Sequence, residues 1–271
     1  MRGVVSAGML SALEELGLSH AFDSVYGSSA GAINAAYFLA GQAAFGTSIY
    51  FEDINNLRFI DLGRIVTRRP IVDLGFLIDD VATRRKVLDV ARVLAAQSPL
   101  TVMATDVAGA QRAALRGFTD GRALLNALRA GATMPVLAGP PVTYDGRDYL
   151  DASLTEPIPV PMAEHDGHTH ILALLTRPSE GPRSTTWFDR AYVLPRLRRV
   201  SPALASFYTD RGEPYRQLLH QIAAGRGPLG TAHVLGLRPQ PPVVGKLERS
   251  AARLREAARQ GHRAVMQAFG Q

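Results

Sequence analysis

The chain has 271 residues and a mass of 29.2 kDa, long enough to bury a substantial core as one large domain. Hydrophobic residues make up 46% and charged residues 20%, which excludes a disordered or fibrous chain, and a cysteine count of zero excludes disulfide scaffolds, thiolate metal sites and cysteine nucleophiles. The net charge of +6 rests almost wholly on arginine, with Lys86 and Lys246 the two lysines; without aromatics interleaved on a basic motif this reads as solvated faces with a mild preference for anionic surfaces, not as a nucleic-acid reader.

In chain order, residues 6–16 read as a helix, with Leu10, Leu13 and Leu16 on one side and Gly17 at its C-terminal end. A short strand over 22–26 leads into Gly27-Ser28-Ser29-Ala30-Gly31. Residues 32–40 then form a helix apolar on nearly every side, hence a buried one, interrupted only by Asn34. Residues 52–98 are mixed, with an amphipathic helix expected over 81–95; Phe59, Ile60, Ile65, Phe76 and Leu77 in this stretch read equally as the cap of an apolar pocket or as ordinary core. Strands are expected at 101–105 and 112–115, a helix at 123–130, and a hairpin around Asp145-Gly146 joining 142–144 to 148–150. The continuous apolar run 171–175 suits a strand covered on both faces. The remainder reads as mostly helical and closes with a helix over 246–268, whose apolar stripe is Leu247, Ala251, Leu254, Ala258 and Val265. Alternating strands and helices imply α/β layers around a largely parallel sheet. The 32–40 stretch is too short to span a bilayer, and no leader-like run follows Met1, so the expectation is a soluble cytoplasmic protein, at most peripheral at a membrane.

The pattern with chemical content is Gly27-x-Ser29-x-Gly31. A serine hydroxyl is a poor nucleophile unless it is held exposed beside a base and near backbone donors. A tight turn between strand and helix provides that setting, with the helix N-terminus aimed at the reacting oxygen. Only 28 residues precede Ser29, too few for the strands that an ordinary α/β-hydrolase places ahead of its nucleophile. The histidines suit a triad poorly: His20 lies upstream, His220, His233 and His262 fall in the C-terminal third, and His165, His168 and His170 crowd a polar stretch. That stretch, from Glu164 to His170, reads either as a metal-binding cluster or as a solvated loop ahead of a strand.

On these residues the chain resembles the patatin-like phospholipases, serine lipid acyl hydrolases that use a Ser–Asp dyad. The similarity runs to about residue 180. It is carried by Arg2-Gly3-x-x-x-x-Gly8-x-Leu10-x-x-Leu13, by Gly27-x-Ser29-x-Gly31-Ala32, by Thr105-Asp106 with the turn at Gly109, by residues 130–135, and by Tyr149-Leu150-Asp151-Ala152 with Pro157 and Pro159. The resemblance implies a three-layer α/β fold as a single domain, with a core over about 1–180 and a helical extension over about 186–271. It also implies Ser29 as nucleophile, Asp151 as general base and acid, Gly27, Ala30 and Gly31 as the elbow, and oxyanion donors at Arg2 and Gly3. The substrate implied is a lipid or phospholipid, with no metal or organic cofactor and no nucleic acid.

The chain departs from the family pattern twice. Ala152 stands where the dyad motif usually carries glycine, and Asp145-Gly146 matches that dipeptide better but sits at the hairpin turn, where it is expected for turn reasons alone. The chain also opens inside the family's glycine-rich oxyanion loop, without its run of glycines or the strand before it. Either the natural start lies upstream of Met1 or this is a shortened member of weak activity. A lipid-binding role without turnover is the alternative. It would use the basic closing helix, with Arg249, Arg253, Arg255, Arg259 and Arg263 on its polar side.

Overall fold

The computed structural model describes residues 1–67, 69–135, 137–178, 186–187, 189–242 and 244–270. Helix α1 (Gly3–Glu15) ends just ahead of Gly17, which takes the left-handed φ of 72° that a helix stop requires. Strand β1 (Val25–Ser28) feeds α2 (Ala30–Leu39), and α3 (Ala43–Glu52) follows. The single helix expected over 81–95 is instead two. A wide helix, Phe76–Arg85, closes with an i→i+5 bond from the Lys86 amide to the Val81 carbonyl, and α4 (Val90–Leu94) starts afresh under an Asp89 cap. The break is tertiary in origin. Tyr37 Oη donates to the Lys86 carbonyl, Gln42 Nε2 to the Val87 carbonyl, and the Asp89 amide donates to Gln42 Oε1. Side chains of the α2 region thus supply the bonds that a continuous helix would have made with itself.

Strands β2 (Leu100–Asp106) and β3 (Gln111–Leu115) form a hairpin. Helix α5 (Gly121–Ala132) is capped by the Asp120 carboxylate on the Ala123 amide. Strands β4 (Val142–Tyr144) and β5 (Arg147–Asp151) turn at Asp145 and Gly146, with φ of 48° and 73°, the pair of positive values that a two-residue hairpin favours. Then come α6 (Val160–His165), β6 (His170–Leu174), α7 (Leu194–Val200), α8 (Pro202–Asp210), α9 (Gly212–Ala223), β7 (His233–Leu237) and α10 (Ala251–Phe269). The C-terminal third, expected to be helical, therefore also supplies a strand.

The architecture is mixed α/β. In the main sheet β1 runs parallel to β2, while β3 and β5 run antiparallel to β2 and β4 antiparallel to β5; the short hairpins joining β2 to β3 and β4 to β5 allow no crossover to a parallel partner. β6 and β7 make a separate parallel pair. Register then decides where chain ends meet. β3 spans Val102–Asp106 of β2, overlapping the stretches used by both β1 and β5, so β1 and β5 share the opposite edge of β2. Ser28 faces Met103 and Asp151 faces Ala104, its neighbour. The C-terminal ends of β1 and β5 therefore abut. The second edge of β1 pairs with no strand among the described residues, and α1 opens at Gly3.

The main core joins α1, α2, the Phe76–Arg85 helix, α5 and α10. Strand β6 is covered on both faces: Leu172 and Leu174 pack on this core, Ile171, Ala173 and Leu175 on a second one with Tyr215, Leu219 and Ile222 of α9. Helix α10 spends its apolar stripe on α1. Leu254, Ala257, Ala258 and Val265 are buried, and the crossing is so close that a Cβ at Gly8 would lie 2.0 Å from the Ala258 carbonyl oxygen, and one at Gly261 2.0 Å from that of Val5. Leu247, expected on the stripe, lies ahead of the helix and is 42% exposed. Arg253 pairs with Glu248, and Arg259 and Arg263 with Glu256. With its apolar face packed on α1, α10 has no such face left to insert into a bilayer, and what it offers to the outside is its arginine side.

Among the described residues no cluster of histidine and acidic side chains is placed to hold a metal ion; residues 165–167 and 169, ahead of β6, and His170 at its start are exposed, as a solvated loop would be, whereas Glu164 is not. Buried Glu164 accepts from the amides of Leu229, Thr231 and Ala232 and from the Thr231 hydroxyl. Burial alone would raise its carboxyl, but these donors outweigh it and hold the group below the usual carboxylate range. Asp166 accepts from Tyr26 Oη and pairs with Arg116, while His168 Nε2 lies 3.1 Å from Tyr26 Oη.

Candidate active site

Ser29 occupies the turn between β1 and α2 with φ 56° and ψ −129°, a conformation that costs a non-glycine residue about 1–3 kcal/mol and persists only where its surroundings enforce it. Gly27 is part of that enforcement: a Cβ there would lie 2.2 Å from Ala32 Cα and 2.6 Å from Ala32 N. Gly31 is not required in this way, since a Cβ there meets nothing within 4 Å. Its missing side chain leaves room in the cavity that Gly31 lines.

The abutting ends of β1 and β5 bring Ser29 and Asp151 together. Ser29 Oγ donates to Asp151 Oδ2 at 2.5 Å, and Asp151 Oδ1 accepts from the Ser153 amide at 2.7 Å. The Asp151 backbone is held on both sides, its amide by the Thr133 carbonyl at 2.9 Å and its carbonyl by Thr105 Oγ1 at 3.0 Å. Asp151 is fully buried, so the carboxylate reaches the outside through Ser29. Asp145, the other aspartate of the sequence reading, is exposed in the hairpin turn. His168 and His170 line the cavity, but the partner of the Ser29 hydroxyl is a carboxylate.

Two helix N-termini meet beside the serine. The Val4 and Val5 amides bond to the Met1 and Arg2 carbonyls, whereas the amides of Arg2, Gly3 and Ala30 have no acceptor among the described residues. Gly3 packs directly on Ala30, with a Cβ at Gly3 falling 2.7 Å from Ala30 Cβ and 2.5 Å from Tyr50 Oη. Arg2 lines the same cavity; burial, and then the neighbouring Arg177, draw its guanidinium below the ordinary value, with Tyr215 opposing.

Asn34, the one polar residue of the apolar helix, fixes this arrangement from behind. Its Nδ2 donates to the Gly3 carbonyl at 2.9 Å and to Ser6 Oγ at 3.1 Å, and its Oδ1 accepts from Tyr50 Oη at 3.0 Å. The buried Tyr50 phenol is pushed well above its ordinary range by burial, with the Asn34 bond acting the other way. The sequence signal for this network was a lone asparagine in a buried helix; its partners on α1 and α3 had none. Replacing Asn34 with alanine leaves the buried Tyr50 hydroxyl without its acceptor, while the Gly3 carbonyl keeps Ser6 Oγ at 3.0 Å, and is expected to cost about 1–3 kcal/mol in thermal denaturation.

Ser29 opens onto a cavity of about 1050 Å³, large enough for an extended apolar chain. It runs along the free edge of β1 and the facing residues of β6, and past Phe38, Ile54, Phe59, Ile60, Leu74 and Leu77. Of the five apolar residues singled out between 52 and 98, Phe59, Ile60 and Leu77 line it, while Phe76 and Ile65 pack into the core beside it.

Residues 1–164 match the family model for patatin-like phospholipases, a span from α1 into α6 that holds Gly3, Ser29 and Asp151. The chain belongs to the patatin-like phospholipase family, and so to a family of lipid hydrolases. It is also similar to the uncharacterized protein YjjU of Escherichia coli (strain K12), at 25% identity over 190 residues, 70% of this chain. The chain spans about half the length of that relative, 53%. Elements β6 to α10 lie outside the family match, although α10 packs on its first helix. Among the described residues no helix is long and apolar enough to cross a membrane.

Proposed function

We propose that this patatin-like phospholipase hydrolyses carboxylic esters of lipids through Ser29 and Asp151. The observation that carries the reading is the 2.5 Å bond from Ser29 Oγ to a fully buried carboxylate, at the wall of a largely apolar cavity. Ser29 Oγ attacks the acyl carbon as its proton passes to Asp151 Oδ2. The oxyanion that forms takes the amides of Gly3 and Ala30, with Arg2 adjacent. Collapse expels the alcohol, which leaves with the proton from Asp151, and the acyl group stays on Ser29. Water then attacks the acyl-serine, giving its proton to Asp151. As the carboxylic acid departs, that proton returns to Ser29 Oγ. The acyl chain lies against Phe59, Ile60 and Leu77.

A fluorophosphonate probe tests this in the absence of any lipid. Covalent labelling of the wild-type chain and none of Ser29→Ala is the expected result. A wild-type chain that stays unlabelled while retaining lipid affinity would instead support the binding role without turnover.

A further inference from the structure

Two segments that contribute to the cavity lining carry outward side chains that are apolar and aromatic without any internal reason to be so. In the turn at 62–66, Leu62 and Val66 are 54% and 88% exposed; in the second segment Trp187, the sole tryptophan of the chain, is 81% exposed. The two segments are tied together, since Tyr192 Oη donates to the Ile65 carbonyl at 3.4 Å. Both lead inward, because Leu62 and Thr186 line the cavity that holds Ser29. Around them stand Arg64, Arg69 and Arg190. Arg64 shares Asp61, but among the described residues neither Arg69 nor Arg190 has a carboxylate within ion-pair distance. The nearby acids are occupied internally, Asp61 on the Gly63 amide and Asp189 by Thr186 and Tyr208.

We propose that this rim, Leu62 and Val66 on one side and Trp187 on the other, is the surface on which the protein docks at an anionic lipid bilayer. Apolar tips with an amphipathic indole between exposed arginines suit the boundary between headgroups and acyl chains. Continuity with the cavity distinguishes a lipid surface from a protein partner: a lipid drawn out of the bilayer at this rim enters directly toward Ser29. The proposal rests on the lipid-ester reading of the cavity. Helix α10 does not compete for the role, its apolar face being buried on α1.

The intrinsic fluorescence of Trp187 provides the test on the intact chain. With vesicles of phosphatidylglycerol and phosphatidylcholine, its emission is expected to shift to the blue and to be quenched by brominated acyl chains; phosphatidylcholine alone or high salt weakens both effects. Val66→Asp and Arg69→Glu, both at exposed positions, are expected to weaken vesicle partitioning about tenfold each while leaving fluorophosphonate labelling in solution unchanged. Vesicle flotation without any change in Trp187 emission, or partitioning indifferent to both substitutions, would overturn the proposal. So would hydrolysis of dispersed esters by a chain that does not bind vesicles. Loss of labelling in solution would count against the Ser29–Asp151 reading instead, so the two failures remain distinct.

Discussion

Asp151→Asn is expected to lower kcat/KM for a short-chain ester by about 10³- to 10⁴-fold while shifting Tm by only a few degrees. The two effects separate because the carboxylate makes two different bonds. Oδ1 accepts from the Ser153 amide, and an asparagine carbonyl oxygen does the same. Oδ2 accepts from Ser29 Oγ, and an amide nitrogen there donates instead, so the hydroxyl becomes an acceptor and has no base to receive its proton. The geometry survives and the proton transfer does not, a loss of the size seen when a general base is removed with its packing retained. In a unit of this kind the losses do not add, so Ser29→Ala with Asp151→Asn is expected to be no slower than Ser29→Ala alone. Steady-state kinetics on the three variants, with thermal melts alongside, decide the matter. Activity of Asp151→Asn within several-fold of wild type would mean that the base is elsewhere.

Gly8→Ala and Gly261→Ala are each expected to lower stability by about 1–3 kcal/mol, and Tm by several degrees, despite lying in helices where alanine is the better former. Helix propensity favours alanine over glycine by about 1 kcal/mol. Against it stands a contact of 2.0 Å with a backbone carbonyl oxygen at each position, well inside van der Waals distance and with no flexible side chain to yield. The helices would have to separate, and the steric term wins. Because α1 carries Gly3 at its N-terminus, the same substitutions are expected to slow fluorophosphonate labelling at temperatures where the chain is still folded. Gly31→Ala, whose Cβ meets nothing within 4 Å, is the control for the melts. Equal stability of all three variants would show that α1 and α10 are not packed this tightly in solution.

Local signals carried far in this chain. The Asp145-Gly146 turn needs two adjacent positive φ values, which few other dipeptides supply, so the hairpin was legible before any partner was known. Ser29 was legible because a strand, a glycine turn and a buried helix follow one another within a few residues. The helix expected over 81–95 fails for the opposite reason. Its periodicity is real, but Tyr37 and Gln42, more than forty residues upstream, take the carbonyls at 86 and 87, and no local pattern encodes that.

The sequence by itself determined the α/β class, a serine set in a glycine turn between strand and helix, and the family, because these rest on residue types at short spacings where backbone sterics leave few alternatives. Tertiary structure alone decided the rest. The meeting of β1 and β5 depends on register along one edge of β2, set by side chains that pack only once the sheet exists. Helix α10, whose arginines suit an anionic surface but whose alanine-rich stripe suits packing on a domain better than insertion, became a core element because Gly8 of α1 and Gly261 of α10 let each backbone reach a carbonyl of the other helix. Asn34 became the support of Gly3 for the same reason: a buried amide must find partners, and where they lie in the chain is decided by packing.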